Sequence, residues 1–316
     1  MVDRLRRLII NARGEEKTVS PKSAFPDKHR VRVHPQEGRK VIEKARKVMA
    51  RASVSQDEAT WEPNLEHPNL PFGVLLATDI HWGSIHTNYQ QLERHLNIVE
   101  KTPNFGMVSN GDDVDNFNSA LHASGMTENP LPPTTQAGMI AERLRKLDDQ
   151  EKIGVMSFGN HNDFTFETSN IQWHDAFLRT FKAPIFAAGG LLRIILGKQE
   201  YKMGITHQYW GKSKLNPTNS PKRLMEYEFP QADIVFTGHT HQSSYEHFDR
   251  GGKEVVAVVG GTYKNLDDPY ARKKGIGRRP GKPGITAMLW PDERKMEVFK
   301  DIETARTFIQ ALLGIK

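Results

Sequence analysis

Five short apolar runs in this chain stop in the same unusual way. GVLLAT (73–78), FGMVS (105–109), KIGVMSF (152–158), KMGIT (202–206) and DIVFT (233–237) each read as a buried strand. Each then presents His, Asp or Asn. The first delivers Asp79 and His81, the second Asn110, Asp112, Asp113 and Asp115, and the third Asn160 and His161. The fourth delivers His207, and the fifth His239 and His241. A core cannot satisfy such groups without partners. Gly-Asn turn chemistry explains one ending well, but five in succession poorly. Helical patterns lie between the runs, among them NYQQLERHLNIVEK, with Tyr89, Leu92, Leu96 and Val99 on one face, and TQAGMIAERLRKLDDQ. Alternating strands and helices imply an α/β layered fold, in which ligands gather at the C-terminal edge of the sheet.

The flanks have a different texture. Residues 1–34 mix charge with Pro and Gly and hold no period, whereas 36–52 place Val41, Ala45, Val48, Met49 and Ala52 at helical spacing. The link WEPNLEHPNLP follows, so residues 1–70 are expected as a basic arm with a helical extension and 71–316 as the main domain. VVAVVG, ITAMLW and KMEVF read as further strands without intervening helices. DIETARTFIQALLG reads as a closing amphipathic helix capped by Asp301 and stopped at Gly314.

The chain contains no Cys, which excludes disulfides, thiolate metal sites and thiol catalysis. No apolar run approaches the roughly 20 residues of a membrane span, and MVDRLRRLII lacks the apolar core of a signal peptide. A soluble, intracellular, cytoplasmic protein is expected. The net charge of +6 is unevenly spread. Residues 1–52 hold 15 Lys/Arg against 6 Asp/Glu, and 264–282 hold 7 against 2, which leaves the remainder at −8. Basic blocks on an acidic body point to polyanion contacts, although solvated tails have the same composition.

The strand-end spacings fit a metal site. Residues i and i+2 of an extended segment point the same way, so Asp79 with His81, and His239 with His241, can face one centre. Oxygen and imidazole donors suit Mn, Fe, Zn, Mg or Ni rather than a thiolate-bound structural zinc. Two adjacent cations need a bridging anion, for which Asp112 is the candidate. D-x-H, G-D-x-x-D and a lone His207 each have ordinary readings as caps, turns or buried groups; the ordered set carries the weight. His86, His95 and His174 are expected to be structural or superficial.

That order, D-x-H, G-D-x-x-D, G-N-H, H and G-H-x-H, resembles the calcineurin-like metallophosphoesterase superfamily over residues 73–299. The resemblance implies a four-layer αββα sandwich of two mixed sheets with two divalent metal ions, manganese foremost, at the strand ends. It implies that Asp79, His81 and His241 hold one metal and Asn160, His207 and His239 the other, with Asp112 bridging. His161 matches the catalytic general acid and Asp115 the acidic residue that orients it. The implied chemistry is phosphate-ester hydrolysis by a hydroxide held between the metals. Two positions depart from the pattern. Asn162 follows the G-N-H histidine where an acid is common, and Asn116 stands where the protein-phosphatase branch has a phosphate-clamping Arg. The second departure favours a diester. With the basic segments 1–52 and 264–282, and Tyr263 and Tyr270 beside the latter, the expected substrate is nucleic acid. The alternatives are small phosphate esters or nucleotides, and a non-catalytic binding module of the same fold.

Overall fold

A computed structural model of the chain describes residues 57–117, 123–164, 167, 180–266 and 280–314. The expected arm at 1–52, its helix at 36–52, and most of the basic stretch 264–282 lie outside the described residues.

Two six-stranded mixed sheets are stacked. The first follows the order β12 (Met296–Phe299), β11 (Thr286–Leu289), β2 (Phe72–Ala77), β3 (Phe105–Asn110), β4 (Ile153–Ser157), β5 (Ile185–Phe186). Strands β2 to β5 run parallel, and β11 joins β2 antiparallel. The second runs β1 (Asp57–Trp61), β6 (Gly190–Leu196), β7 (Gln199–Ile205), β8 (Ile234–Thr237), β10 (Lys253–Gly260), β9 (Ser243–Arg250). Here β7, β8 and β10 are parallel neighbours.

Period-2 alternation sorts the side chains into layers. Val74 and Leu76 of β2 meet Met203, Ile205, Phe236, Val256 and Val258 between the sheets. Leu75 and Ala77 face outward instead, against Leu92, Leu96 and Val99 of α1 (Tyr89–Lys101), Ile140 and Leu144 of α2 (Pro133–Asp149), and Ile302, Ala305 and Ile309 of α4 (Ile302–Leu312). On the other sheet, α3 (Asn219–Tyr227) covers Leu191, Val235, Val255 and Ala257 through Leu224 and Met225. The result is the expected αββα sandwich. Asp301 caps α4, its carboxylate accepting from the Thr304 N–H at 2.7 Å. No described helix is long and apolar enough to cross a membrane.

The structure differs from the sequence reading at the domain edge. Strand β1 lies before the expected boundary at 71, yet pairs with β6 over Asp57–Trp61. Its Trp61 is held by an indole N–H bond to the Glu151 carbonyl (3.1 Å) and fills space beside Gly106 and Gly154, where any Cβ would meet the ring at 2.5 and 2.3 Å.

Candidate metal centre

Parallel strands of both sheets end at one place. Sequence around each end explains why. Asp79 and His81 follow β2, and their N–H groups donate to the carbonyls of Gly111 (3.1 Å) and Asp112 (2.9 Å), so the segments after β2 and β3 are zipped together. The glycine of G-N-H makes room for the neighbouring strand's ligand: a Cβ on Gly159 would lie 2.0 Å from Asp112 Oδ1. Gly238 does the same for Thr78 and Asp79, at 2.1 Å from the Thr78 hydroxyl and 2.7 Å from Asp79 Oδ2. Only a missing side chain lets the strand ends approach so closely.

Backbone strain concentrates here. Asp79, His81, Asp112, His239 and His241 all have positive φ, between 50° and 66°. Asp and His tolerate this region better than most residues, but it still costs on the order of 1–3 kcal/mol each and persists only where the surroundings enforce it. Five of the seven expected ligands are strained in this way.

The seven side chains converge. Asp79 Oδ1 lies 3.2 Å from His241 Nε2, 3.8 Å from His81 Nε2 and 4.0 Å from His207 Nε2. Asp112 Oδ2 stands 2.9 Å from His207 Nε2, and Asn160 Oδ1 2.7 Å from His239 Nδ1. Among the described residues, three His/Asp groups have metal-binding spacing: Asp79–His81–His241, His81–Asp112–His161 and Asp112–His207–His239. Tautomers are set from behind. His81 Nδ1 donates to the Asp115 carboxylate at 2.7 Å and His207 Nδ1 to the Asn110 carbonyl at 2.6 Å, so both Nε2 atoms point inward. Asp79 Oδ2 accepts from the Thr78 hydroxyl and the His239 N–H, both at 2.8 Å, which leaves Oδ1 free to face the centre.

This donor set fits cations. Asp79 Oδ1 and His207 Nε2 are buried and face only the other ligand-type side chains, His241 Nε2 at 3.2 Å and Asp112 Oδ2 at 2.9 Å, with no main-chain or hydroxyl partner, a condition that a metal relieves. His81 Nε2 and His241 Nε2 face each other at 3.0 Å. Burial pushes His81 down to about 4 despite Asp115, and burial with the Lys212 charge pushes His239 down to about 4, so both are neutral near pH 7, the form that can ligate a cation. Burial lowers His207 too, but Asp112 and Asp79 outweigh it and lift the group to about 9. Burial works to raise Asp79, yet the His207 and His241 charges hold it down at about 2.

His161 sits beside this set. Its N–H donates to Asp112 Oδ1 at 3.0 Å, its Nε2 lies 3.8 Å from Asp112 Oδ2, and its ring stacks on Phe117 and touches Phe164, with centroids 5.5 and 4.6 Å away. The Asp115 expectation needs correction here. His161 Nδ1 bonds the Asp115 main-chain carbonyl at 2.6 Å, while the carboxylate is 3.9 Å away. The carboxylate turns beneath His81 instead, where Asn129 Nδ2 donates to it at 2.8 Å and Lys264 Nζ stands 3.3 Å away. Burial opposes its charge, but the His81 bond and the nearby cations hold Asp115 far below the usual carboxylate range.

The two departures from the family pattern have local causes. Asn162 Oδ1 accepts from the Gly159 N–H at 2.9 Å and closes the G-N-H turn. Asn116 is fully buried, accepts no clamping role, and instead donates to the His161 carbonyl while its own N–H bonds Gln136 Oε1 at 3.0 Å. Sequence reasoning missed this bracket of Asn116, Asn129, Gln136 and Lys264. Its signal was only that Gln136 stands on the apolar face of α2. Lys264 and Tyr263 also leave the expected polynucleotide track. Lys264 is 4% exposed against Asp115, and Tyr263 is fully buried, its hydroxyl 3.0 Å from His95 Nδ1. They follow β10 into the core before the rest of that basic stretch begins.

Comparison with known protein families finds none that matches the chain, and no curated protein matches it. Solved structures do. A calcineurin-like phosphoesterase, YfkN of Bacillus subtilis, is 12% identical with a TM-score of 0.37, covering 78% of this chain and 97% of its own. Vps29 of Entamoeba histolytica, solved with zinc, is 15% identical with a TM-score of 0.36, over 72% and 98%. A metallophosphoesterase of Sphaerobacter thermophilus is 16% identical with a TM-score of 0.36, over 78% and 95%. Scores of this size carry no inference about chemistry, which rests on the geometry of the site.

Proposed function

We propose that this protein is a metal-dependent phosphodiesterase whose substrate is nucleic acid. The observation that carries the phosphoesterase reading is the convergence of seven His, Asp and Asn side chains, five on strained backbone, with the buried Asp79 Oδ1 and His207 Nε2 facing only one another's ligand-type neighbours. Asp79, His81 and His241 would hold one divalent cation, and Asn160, His207 and His239 a second, with Asp112 shared between them. The oxygen and imidazole donors suit manganese. When bound, such a pair supplies Lewis acidity, activating water near neutral pH and offsetting charge on the phosphate oxygens.

The chain's own groups do the rest. Asp115 fixes His81 through its carboxylate and His161 through its carbonyl. That second bond keeps a proton on Nδ1 and turns Nε2 to the centre, so it is the imidazolium form of His161 that can pass the Nε2 proton to the leaving oxygen, Nδ1 retaining its own. Phe117 and Phe164 pack on the ring and limit its access to water. Asn116 is turned inward to the His161 carbonyl, so this position offers no cation to grip a terminal phosphate dianion. A diester, with one charge fewer, suits that arrangement. The nucleic-acid part draws on charge: the segments 1–52 and 264–282 carry +14 against −8 elsewhere, a footprint suited to a phosphate backbone.

The test is hydrolysis, with manganese, of single- and double-stranded DNA, RNA, cyclic nucleotides, bis(p-nitrophenyl) phosphate and a monoester. Cleavage of polynucleotide and diester above monoester is expected. Turnover confined to small esters moves the substrate class to nucleotides or similar molecules, and no turnover on any leaves a binding module.

A further inference from the structure

The segment that leaves the metal centre after His207 exposes side chains that a soluble surface ordinarily avoids. Trp210 is 51% exposed, Tyr227 60% and Leu215 99%. The Arg223 guanidinium covers one face of the Trp210 ring at 4.2 Å, and the Tyr227 ring lies beside it, 5.4 Å between centroids. Lys212 and Lys214 are exposed on the same segment. Neither lysine, nor Arg223, forms an ion pair with a described carboxylate, whereas Lys222 is held by Glu246 at 2.9 Å.

The backbone beneath these side chains is fixed. Gly211 turns with a φ of +85°, and its carbonyl accepts from Asn219 Nδ2 at 2.6 Å. The Tyr209 carbonyl accepts from the Ser220 hydroxyl at 3.0 Å, and the Asn216 N–H bonds Ser213 Oγ at 3.0 Å. Both bonds to α3 anchor the turn that carries Trp210. The segment also stays at the site: Gln242, next to His241, donates from Nε2 to the Lys214 carbonyl at 3.3 Å. The Lys212 charge is felt at His239. A rigid loop whose backbone is held by polar bonds, and which offers to solvent rings and cations without a described carboxylate partner (Lys212 Nζ reaches only Gln208 Oε1, at 3.2 Å), is preorganised for a ligand with both flat apolar faces and negative charge. Unpaired nucleotides have that chemistry. Base–aromatic stacking is sequence-tolerant, and cations alongside follow the phosphates.

We propose that residues 208–215, with Arg223 and Tyr227, form a stacking platform for single-stranded nucleic acid, Trp210 receiving a base next to the scissile phosphate. The proposal rests on the phosphodiesterase reading and deepens it by naming unpaired bases as the recognised group. It stands apart from the basic segments 1–52 and 264–282.

The test is the binding, by fluorescence anisotropy without added divalent ion, of a labelled single-stranded decamer and of an abasic decamer with the same phosphates. The protein is expected to prefer the base-bearing strand. Trp210→Ala should weaken that strand by about 5- to 150-fold and leave the abasic strand nearly unchanged, and Trp210→Phe should restore most of the difference. Equal affinity for both strands in the unaltered protein, or equal loss on both in Trp210→Ala, overturns the platform. So does a melting temperature lowered by both variants with no base-dependent loss, which makes Trp210 a packing residue. Hydrolysis of bis(p-nitrophenyl) phosphate by the unaltered protein separates the two claims: its failure removes the phosphodiesterase reading, and its success with no base preference removes only this one.

Discussion

The ends of β2, β3 and β4 and the ends of β7 and β8 supply two halves of one site, but they are braced in different ways. The first half, with Asp79, His81, Asp112 and His161, rests on a buried polar bracket of Asp115, Asn116, Asn129, Gln136 and Lys264. The second, with His207, His239 and His241, rests on main-chain carbonyls and on Asp79 itself, and His241 keeps 22% of its side chain exposed. Fully satisfied buried networks rigidify, whereas a half-open edge leaves room for a ligand. The bracketed half therefore suits proton transfer with fixed geometry, and the open half, from which the chain leads on to Trp210 and Lys212, suits the entry of substrate.

Removing the residue shared by both halves should have the largest effect. Asp112 faces His207 and His161 together, so Asp112→Ala should lose most bound metal by elemental analysis and, with it, all hydrolysis. A variant that kept its full complement would show that the halves bind independently. Next in size, His161→Asn tests the proton-donating corner alone. It should retain metal and fold and lose about 10²- to 10⁴-fold in rate, equivalent to about 3–5 kcal/mol of barrier. The loss should shrink on a nitrophenyl diester, whose leaving group needs little protonation. Equal losses on activated and natural substrates would make His161 a positioning residue instead.

Asp115→Asn probes the bracket. Its carboxylate orients His81, and partners of this kind typically contribute about 10- to 100-fold in metal affinity. Titration with manganese should show the cation nearest His81 weakened and the other nearly unaffected. His161 should be spared, because it takes the main-chain carbonyl, which the substitution keeps. A rate loss resembling that of His161→Asn, with metal affinity unchanged, would restore the carboxylate to the role that the motif alone implied.

The two-sheet layered class and the five strands that end at the site were legible because local signals agree there, whereas the order of the strands within each sheet was not. Apolar runs mark the core, and the polar residues that recur at their ends mark the edge where the strands meet. What was illegible depends on tertiary partners. Strand β1, DEATW, is half-exposed along most of its length, and β9, SSYEHFDR, is intermediate almost throughout, so neither shows a clean period. Lys264 reads as one cation of a basic stretch, and only the fold reveals the buried carboxylate it accompanies. The positive φ values of Asp79, His81, Asp112, His239 and His241 have no sequence signature beyond the neighbouring glycines.

Behind the bracketed half, the smallest effect should come from His95, a histidine that the fold buries completely. Its Nδ1 meets the Tyr263 hydroxyl at 3.0 Å, and Glu303 of α4 stands 3.4 Å from Nε2, with Arg94 beside that carboxylate. Burial is the largest influence and lowers the group below 6.5; Glu303 raises it and Arg94 lowers it further. A histidine whose folded pKa is depressed binds its proton more readily when unfolded. Its contribution to stability is therefore fully present above the unfolded value of about 6.5 and is lost as the pH falls below it toward the folded value. His95→Gln should be less stable than the parent at pH 8, because a buried contact with Tyr263 is altered. It should also lose less on passing from pH 7 to pH 5, since one titrating group has been removed. Urea unfolding at the two pH values measures both quantities. Parallel losses in parent and variant would mean that His95 keeps its ordinary affinity for protons, with Glu303 compensating its burial.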